Sequence, residues 1–464
     1  MPDFLPRRVA AILLALACIT GLFAGVYFYG GPPEQRIFVK VASADDRDAN
    51  VVFIVLDTVR SDHMSLCGYE RPTTPFLRRL VQEGAEHTCG AITAGSWTLP
   101  THASFFTGVD PVEHRAHAIT SGIKDFSGAS SRARKLDGAL PTLAEQMAEK
   151  GYQTVAFSAN PVVSSTLGLF RGFEFSHASK KFGDLYDDAY AEGLTELLSE
   201  VNYRRPMFLF LNISDAHQPW KDIPEGIGWV AKRKRLKYAK LDPDSLWRRY
   251  VENRMDDDEV QQFRDRIRDL YDYGVFRADR NVMAALEVLD QGGWCNRGCR
   301  VVITSDHGEF LGEHQLLDHG HYLWEEDVRV PLVVAQIDGP KLPDQINATH
   351  AFHLVRDGAL PGTMAPVTSM AWPHVRRCAL TETNAFCATS AAIWNGGEKL
   401  LWMDEERWRI DLGREGEEVL EPLGEHPLSK PLDELADRVQ QDARDDGDAD
   451  QDVMELLRAV GYIE

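Results

Sequence analysis

Residues 51–58, Val51-Val52-Phe53-Ile54-Val55-Leu56-Asp57-Thr58, place six consecutive apolar side chains directly ahead of a carboxylate. A run this short and continuous reads as a strand buried on both faces, because a half-exposed strand would alternate apolar with polar residues. Similar runs recur at Thr154–Phe157, Met207–Leu211, Val301–Thr304 and Val330–Ala335. Helical patterns fall between them at Thr74–Glu83, Thr142–Lys150, Asp187–Val201 and Asp265–Leu289, the last opening onto Gly292-Gly293. Strands alternating with helices predict an α/β fold, a mostly parallel sheet covered on both faces. Beyond it, 390–402 and 407–412 read as short antiparallel strands, Asp433–Asp452 as a mobile acidic connector, and Val453–Val460 as a last small helix. The divisions expected are an N-terminal segment 1–29, a linker 30–49, the α/β domain 50–375, an antiparallel subdomain 376–430 and an acidic tail with a short helix, 431–464.

The chain has 464 residues and a formal charge of −21, a field that repels nucleic-acid backbone and argues against such a partner. The basic run Lys232-Arg233-Lys234-Arg235-Leu236-Lys237 reads first as a solvated helix face and otherwise as a contact for an anionic headgroup or glycan. At the start, Arg7-Arg8 precede an uncharged, mostly apolar run from Val9 to Tyr29, and Gly30-Gly31-Pro32-Pro33 follow it. Twenty-one residues of this kind suffice to cross a bilayer, and the preceding positive charge leaves residues 30–464 outside the cytoplasm. A cleaved signal peptide is the alternative, although Ala42-Ser43-Ala44 lies far past Tyr29 for a cleavage site. Cys18 leaves six cysteines in the exported part, an even number suited to an oxidising compartment. Proximity pairs Cys295 with Cys299 and Cys378 with Cys387, which leaves Cys67 and Cys89.

Reacting groups in open α/β sheets gather beyond the carboxyl ends of the strands. Asp57 sits at one such end, where a lone aspartate is most often a helix N-cap. Thr304-Ser305-Asp306-His307-Gly308-Glu309 is more specific, since a carboxylate beside an imidazole makes a compact hard-cation site. Asn212 to Trp220 is another polar strand end and contains Asp215 and His217; Asp318-His319-Gly320-His321 adds two histidines. Between these lies Ser96-Trp97-Thr98-Leu99-Pro100-Thr101-His102, in which Ser96 or Thr98 is either an ordinary N-cap or, with a metal to acidify it, a nucleophile. Histidines and a cation together stabilise an oxyanion, so phosphoryl or sulfuryl transfer fits this set.

The same residues carry a resemblance. Val51–Arg60, Gly68-Tyr69, Thr73-Thr74-Pro75, Thr98–His102 with Thr107-Gly108, Gly151–Thr154, Asp215–Trp220, Thr304–Glu309, His319–Pro331 and Leu457–Tyr462 resemble, in order, the sulfatase family of the alkaline phosphatase superfamily. The resemblance implies an alkaline-phosphatase-like fold with a small C-terminal antiparallel sheet. It implies a metal held by Asp57, Asp306 and His307 with Thr98 touching it, and an anionic group bound by His217, His319 and position 102, with His321 as a neighbour. One divalent metal is expected, zinc or manganese ahead of calcium or magnesium, and a second if Asp215, His217 and His319 or His321 converge. The departures concern chemistry. Where the family carries C-x-P-x-R or its serine counterpart, oxidised to formylglycine, this chain has Thr98-Leu99-Pro100-Thr101-His102. The usual sulfate-binding segment is replaced around Phe157–Pro161, and the paired aspartates are reduced to Asp57-Thr58. T-x-P-x-H is similar to the pattern of superfamily phosphodiesterases, in which threonine attacks phosphorus.

The resulting expectation is a membrane-tethered, extracytoplasmic hydrolase or transferase of phosphate or sulfate esters, phosphate favoured, whose substrate includes a lipid or glycan headgroup. A sulfatase working without formylglycine, an envelope headgroup phosphotransferase and an inactive binding homologue are the alternatives.

Overall fold

A computed structural model describes residues 40–119, 132–224, 227–229, 249–250, 252–320, 322–364, 366–372, 389–403, 405–413, 418–444 and 451–459. The apolar segment 9–29, the basic run from Lys232, His321, Cys378 and Cys387 lie outside the described residues. Among the described residues no helix is long and apolar enough to cross a membrane. The chain divides into two units: Met1–Phe38 with Ile223–Arg235, whose described residues contain neither helix nor strand, and Val39–Asp222 with Leu236–Glu464. The larger unit holds the architecture that follows.

Its main sheet has eight strands: β1 (Asn50–Leu56), β2 (Glu86–Ile92), β3 (Gln153–Ser158), β4 (Phe175–Ala178), β5 (Met207–Ile213), β6 (Cys299–Ser305), β7 (Arg329–Ala335) and β8 (Ile346–Asn347). Their spatial order is β8-β2-β7-β6-β1-β5-β3-β4. β1 pairs in parallel with both β5 and β6, and all three are buried along their whole length, as the continuous apolar runs require. β7 alone runs antiparallel, because the connection 306–328 leaves the carboxyl end of β6 and returns to the sheet on that same edge. The strand β2 has no apolar run to announce it: Glu86-His87-Thr88-Cys89-Gly90-Ala91-Ile92 is half polar and buries chiefly its last residues.

The helices of seven residues or more are α1 (Pro75–Gln82), α2 (Thr98–Thr107), α3 (Leu143–Glu149), α4 (Asp188–Leu198), α5 (Asp257–Gln291), α6 (Ala351–Asp357), α7 (Ser429–Arg444) and α8 (Gln451–Ala459). α5 begins eight residues before the apolar pattern does. Its start is set by a capping box, in which the Glu259 amide donates to Asp256 Oδ1 at 2.9 Å and the Asp256 amide donates to Glu259 Oε2 at 3.3 Å. The antiparallel subdomain is a five-stranded meander, β9 (Val367–Ala371), β10 (Ser390–Asn395), β11 (Glu398–Met403), β12 (Glu406–Asp411) and β13 (Glu421–Pro422).

The acidic stretch from Asp433 departs from its reading as a mobile connector. Through Arg444 it is helical, because Leu432, Leu435, Ala436 and Val439 recur at helical spacing and are buried in the main core. Its Asp442 ends that face against a polar pocket: His117 Nε2 at 2.5 Å, and the guanidinium groups of Arg115 and Arg134 each at 3.1 Å. Disulfides join Cys295 to Cys299, the pair expected from proximity, and Cys67 to Cys89, the two cysteines that pairing left over.

Candidate functional site

Strand direction alone brings the expected residues to one edge. Asp57, Asp306 and the stretch from Ser214 follow the carboxyl ends of β1, β6 and β5, and the chain leaving β2 delivers Thr98 beside them. Asp57, Asp306 and His307 are fully buried, and one ligand atom from each lies within 4.8 Å of the others.

Each group is aimed by its neighbours. Asp57 Oδ2 accepts hydrogen bonds from Asn160 Nδ2 at 2.5 Å and Asn212 Nδ2 at 3.5 Å, which leaves Oδ1 buried with no hydrogen-bond partner. Asp306 Oδ1 accepts from the amides of Thr58 at 3.2 Å and His307 at 3.0 Å, and its Oδ2 likewise has none. His307 Nδ1 donates to the Gly308 carbonyl at 2.9 Å, so the lone pair of a neutral ring is on Nε2. That nitrogen lies 3.4 Å from Asp306 Oδ2, 3.9 Å from Asp57 Oδ1 and 3.2 Å from Thr98 Oγ1. Burial raises the carboxyl pKa of both aspartates, of Asp306 well above the carboxylate range; the charge of Asp57 adds to the effect on Asp306. Two orphaned carboxylate oxygens converging on an imidazole lone pair fit a divalent cation bound by N and O donors.

Thr98 is not a cap. It is the first residue of α2, the N-cap position belongs to Trp97, and neither Trp97 nor the buried Ser96 hydroxyl supplies a capping bond. Its Oγ1 instead faces the His307 imidazole.

The remaining expected residues divide. His319 is brought in, its ring centroid 4.2 Å from that of His307, with Nδ1 at 3.0 Å from Asp318 and 3.5 Å from Glu309. His217 stacks on Phe182 at 4.1 Å and stands 5.2 Å from the His319 ring. His102 lies behind the nucleophile position. Its Nδ1 donates to the Thr98 carbonyl at 2.9 Å, and its ring packs among Phe105, Phe106 and Phe210. Burial lowers its pKa to about 4, so it is neutral and braces the first turn of α2.

Asp215 does not join His217 and His319. Arg277 Nη2 lies 2.7 Å from its Oδ1, and Asn281 donates to its Oδ2 at 2.7 Å. Among the described residues the other metal-like grouping is Glu309, Asp318 and His319.

Several supporting residues escaped the sequence reading. Asn160, in the segment where the family pattern breaks, and Asn212, within β5, orient Asp57. Arg60 is buried and donates to the Glu309 carbonyl and to Glu313, tying the loop after β1 to the loop after β6. Tyr271 of α5 donates to the Thr58 carbonyl at 2.6 Å, where Thr58 adopts a left-handed φ of 61°. The polar residues at a strand end were the available signal for Asn212; the rest depend on partners distant in sequence.

The sulfatase family profile matches residues 49–354. Solved structures sharing the fold include a 2-O GAG sulfatase, 15% identical with TM-score 0.57, covering 88% of this chain and 96% of that one. The phosphonate monoester hydrolase of Agrobacterium radiobacter is 14% identical with TM-score 0.56, covering 85% and 94% respectively. A Kdo(2)-lipid A phosphoethanolamine 7''-transferase of Salmonella typhimurium is 55% identical over 42 residues, a match spanning 9% of this chain and 8% of that protein.

Proposed function

Since the chain belongs to the sulfatase family and is an ester hydrolase or transferase of that kind, we propose that it cleaves phosphate esters with Thr98 as the nucleophile. The observation that carries this reading is the placement of Thr98 Oγ1, 3.2 Å from His307 Nε2, beside the Asp57–Asp306–His307 cluster. Phosphate is preferred on chemical grounds. The Cβ of threonine bears a methyl group, so its oxidation gives a ketone and cannot give the aldehyde of formylglycine.

Asp57, Asp306 and His307 would hold the metal, with zinc or manganese favoured by the mixed N and O donors. When bound, such a cation supplies Lewis acidity that favours the alkoxide form of a neighbouring hydroxyl. Thr98 Oγ1 attacks phosphorus, the bond to the ester oxygen breaks, and the chain carries a phosphothreonine. His217 and His319, whose ring centroids lie 5.2 Å apart, would hold the nonbridging oxygens, and one of them, having taken the Thr98 hydroxyl proton, returns it to the departing alcohol. His102 keeps the Thr98 carbonyl, and with it the start of α2, in place. Water, or an acceptor alcohol on a lipid or glycan, then takes the phosphoryl group.

The local identity to a lipid A phosphoethanolamine transferase supports an envelope headgroup as donor or acceptor. The apolar run 9–29 supports tethering to a membrane with the α/β domain outside the cytoplasm, where the two disulfides would be stable. The test uses the full-length protein in detergent, assayed for bound metal and for turnover of aryl phosphodiesters, phosphomonoesters, phosphonates and sulfate esters. Metal-dependent phosphodiester turnover that Thr98→Ala abolishes is the expected result. Turnover of sulfate esters alone would overturn the phosphate assignment.

A further inference from the structure

The antiparallel subdomain contains a lysine with no exposure at all. Lys399 sits within β11, and its Nζ donates to the Leu323 carbonyl at 2.8 Å, contacts Glu325 Oε1 at 3.4 Å and pairs with Glu418 Oε2 at 2.6 Å. The ammonium also lies 5.5 Å from the ring centroid of Trp324 and 5.3 Å from that of Trp394. Stripping an ammonium of water is costly, and methionine would fill the same length of core at lower cost. What lysine adds is three directed N–H donors.

Leu323, Trp324 and Glu325 belong to the connection between β6 and β7, the segment that carries His319. The subdomain grips that segment at further points: Trp394 Nε1 donates to Glu325 Oε1 at 2.8 Å, and the Glu325 amide donates to Glu418 Oε1 at 2.8 Å. A few residues on, the held segment reaches back to the site. The Gly308 amide donates to the Asp327 carbonyl at 2.8 Å, the Glu309 amide to the Glu326 carbonyl at 3.2 Å, and the Gly320 amide to Asp327 Oδ2 at 3.1 Å. The approach at Gly308 is so close that a Cβ there would lie 1.9 Å from the Glu326 oxygen. The neighbours of these amides are His307 and His319.

We propose that Lys399 is a positioning residue for the ester-cleaving site: its ammonium locks Leu323–Glu325 to the C-terminal sheet and thereby fixes where His307 and His319 stand. The proposal rests on the reading of these histidines given above. It is tested in the full-length protein with the double variant Lys399→Met/Glu418→Gln, which removes the ammonium together with the carboxylate paired to it. Hydrogen–deuterium exchange of peptides spanning 306–320 is expected to accelerate at least tenfold, while β1 and β5 keep wild-type protection. On an aryl phosphodiester, kcat is expected to fall at least tenfold with KM within threefold of wild type.

Unchanged exchange over 306–320 overturns the proposal, whatever the kinetics. Accelerated exchange in a protein that turns over no ester upholds the positioning role and rejects the proposed function instead. Should the double variant lose protection throughout, Trp394→Phe removes the indole N–H given to Glu325 while keeping an aromatic ring beside Lys399; a local acceleration of about threefold is then expected, and its absence overturns the proposal.

Discussion

Two buried clusters of charge in this molecule are built on opposite principles. At the end of α7, Asp442 meets His117 and two arginines, so one carboxylate has more cations than it needs. At the carboxyl edge of the main sheet, Asp57 and Asp306 lie side by side with one imidazole and two oxygens that have no hydrogen-bond partner. A buried charge that is fully paired holds elements together; a buried pair of like charges is stable only when something binds between them. The first arrangement completes itself on folding, whereas the second is complete only with a ligand. Asp215, held by Arg277 and Asn281, belongs with the first kind although it too follows the carboxyl end of a strand of the main sheet.

The largest effect that can test this contrast is catalytic. Thr98→Ala removes the hydroxyl that faces His307 of the open cluster and leaves its carboxylates intact. A drop in kcat of at least ~10³-fold is expected, since loss of a covalent nucleophile removes the reaction path itself. Bound metal, measured by atomic emission, should stay within half of the wild-type stoichiometry. Retained turnover would return Thr98 to a structural role at the start of α2.

The next effect concerns the closed cluster. Asp442→Ala removes the carboxylate that pairs with His117, which is stacked on Trp372 at 3.7 Å, and with Arg115 and Arg134. Breaking a buried pair from one side costs about 3 kcal/mol, read from the midpoint of urea unfolding. Turnover at 25 °C should remain within about twofold of wild type, a small change on the scale of ~1.4 kcal/mol per tenfold. A tenfold loss of kcat would mean that α7 shapes the site.

How far these distinctions can be read from sequence depends on how local each one is. β1, β5 and β6 were legible because a strand buried on both faces must be apolar throughout. Asp57, Asp306 and His307 were legible as ionisable residues at strand ends, and Thr98 through the pattern around Pro100. β2 was not, because it has too few apolar residues, and α7 was masked by acids on its solvent face. Whether a buried carboxylate is paired cannot be read locally at all. Asp57 and Asp215 each follow the end of a strand, yet one is oriented by Asn160 while the other is neutralised by Arg277 from a helix, and only the fold brings those residues near.

Asp306→Asn gives the smallest change and the one with the most telling sign. In the metal-free protein, burial and the charge of Asp57 hold the Asp306 carboxyl well above its usual 3.8. The folded state therefore keeps a proton that the unfolded state releases, and stability falls as pH rises from about 4 through the raised folded pKa. For Asp442 the slope is reversed. Burial opposes ionisation there, but His117 and Arg134 outweigh it and hold the carboxyl below 3.8, so its contribution is present at neutral pH and lost as pH falls through the folded pKa. Asp306→Asn should therefore stabilise the chelator-treated protein by about 1–2 kcal/mol at pH 8 and flatten its decline between pH 5 and 8. Adding zinc should stabilise wild type well above the variant, because only wild type retains both carboxylates as ligands. If the metal-free variant proves less stable than wild type at pH 8, Asp306 is paired as Asp442 is, and the two clusters are of one kind.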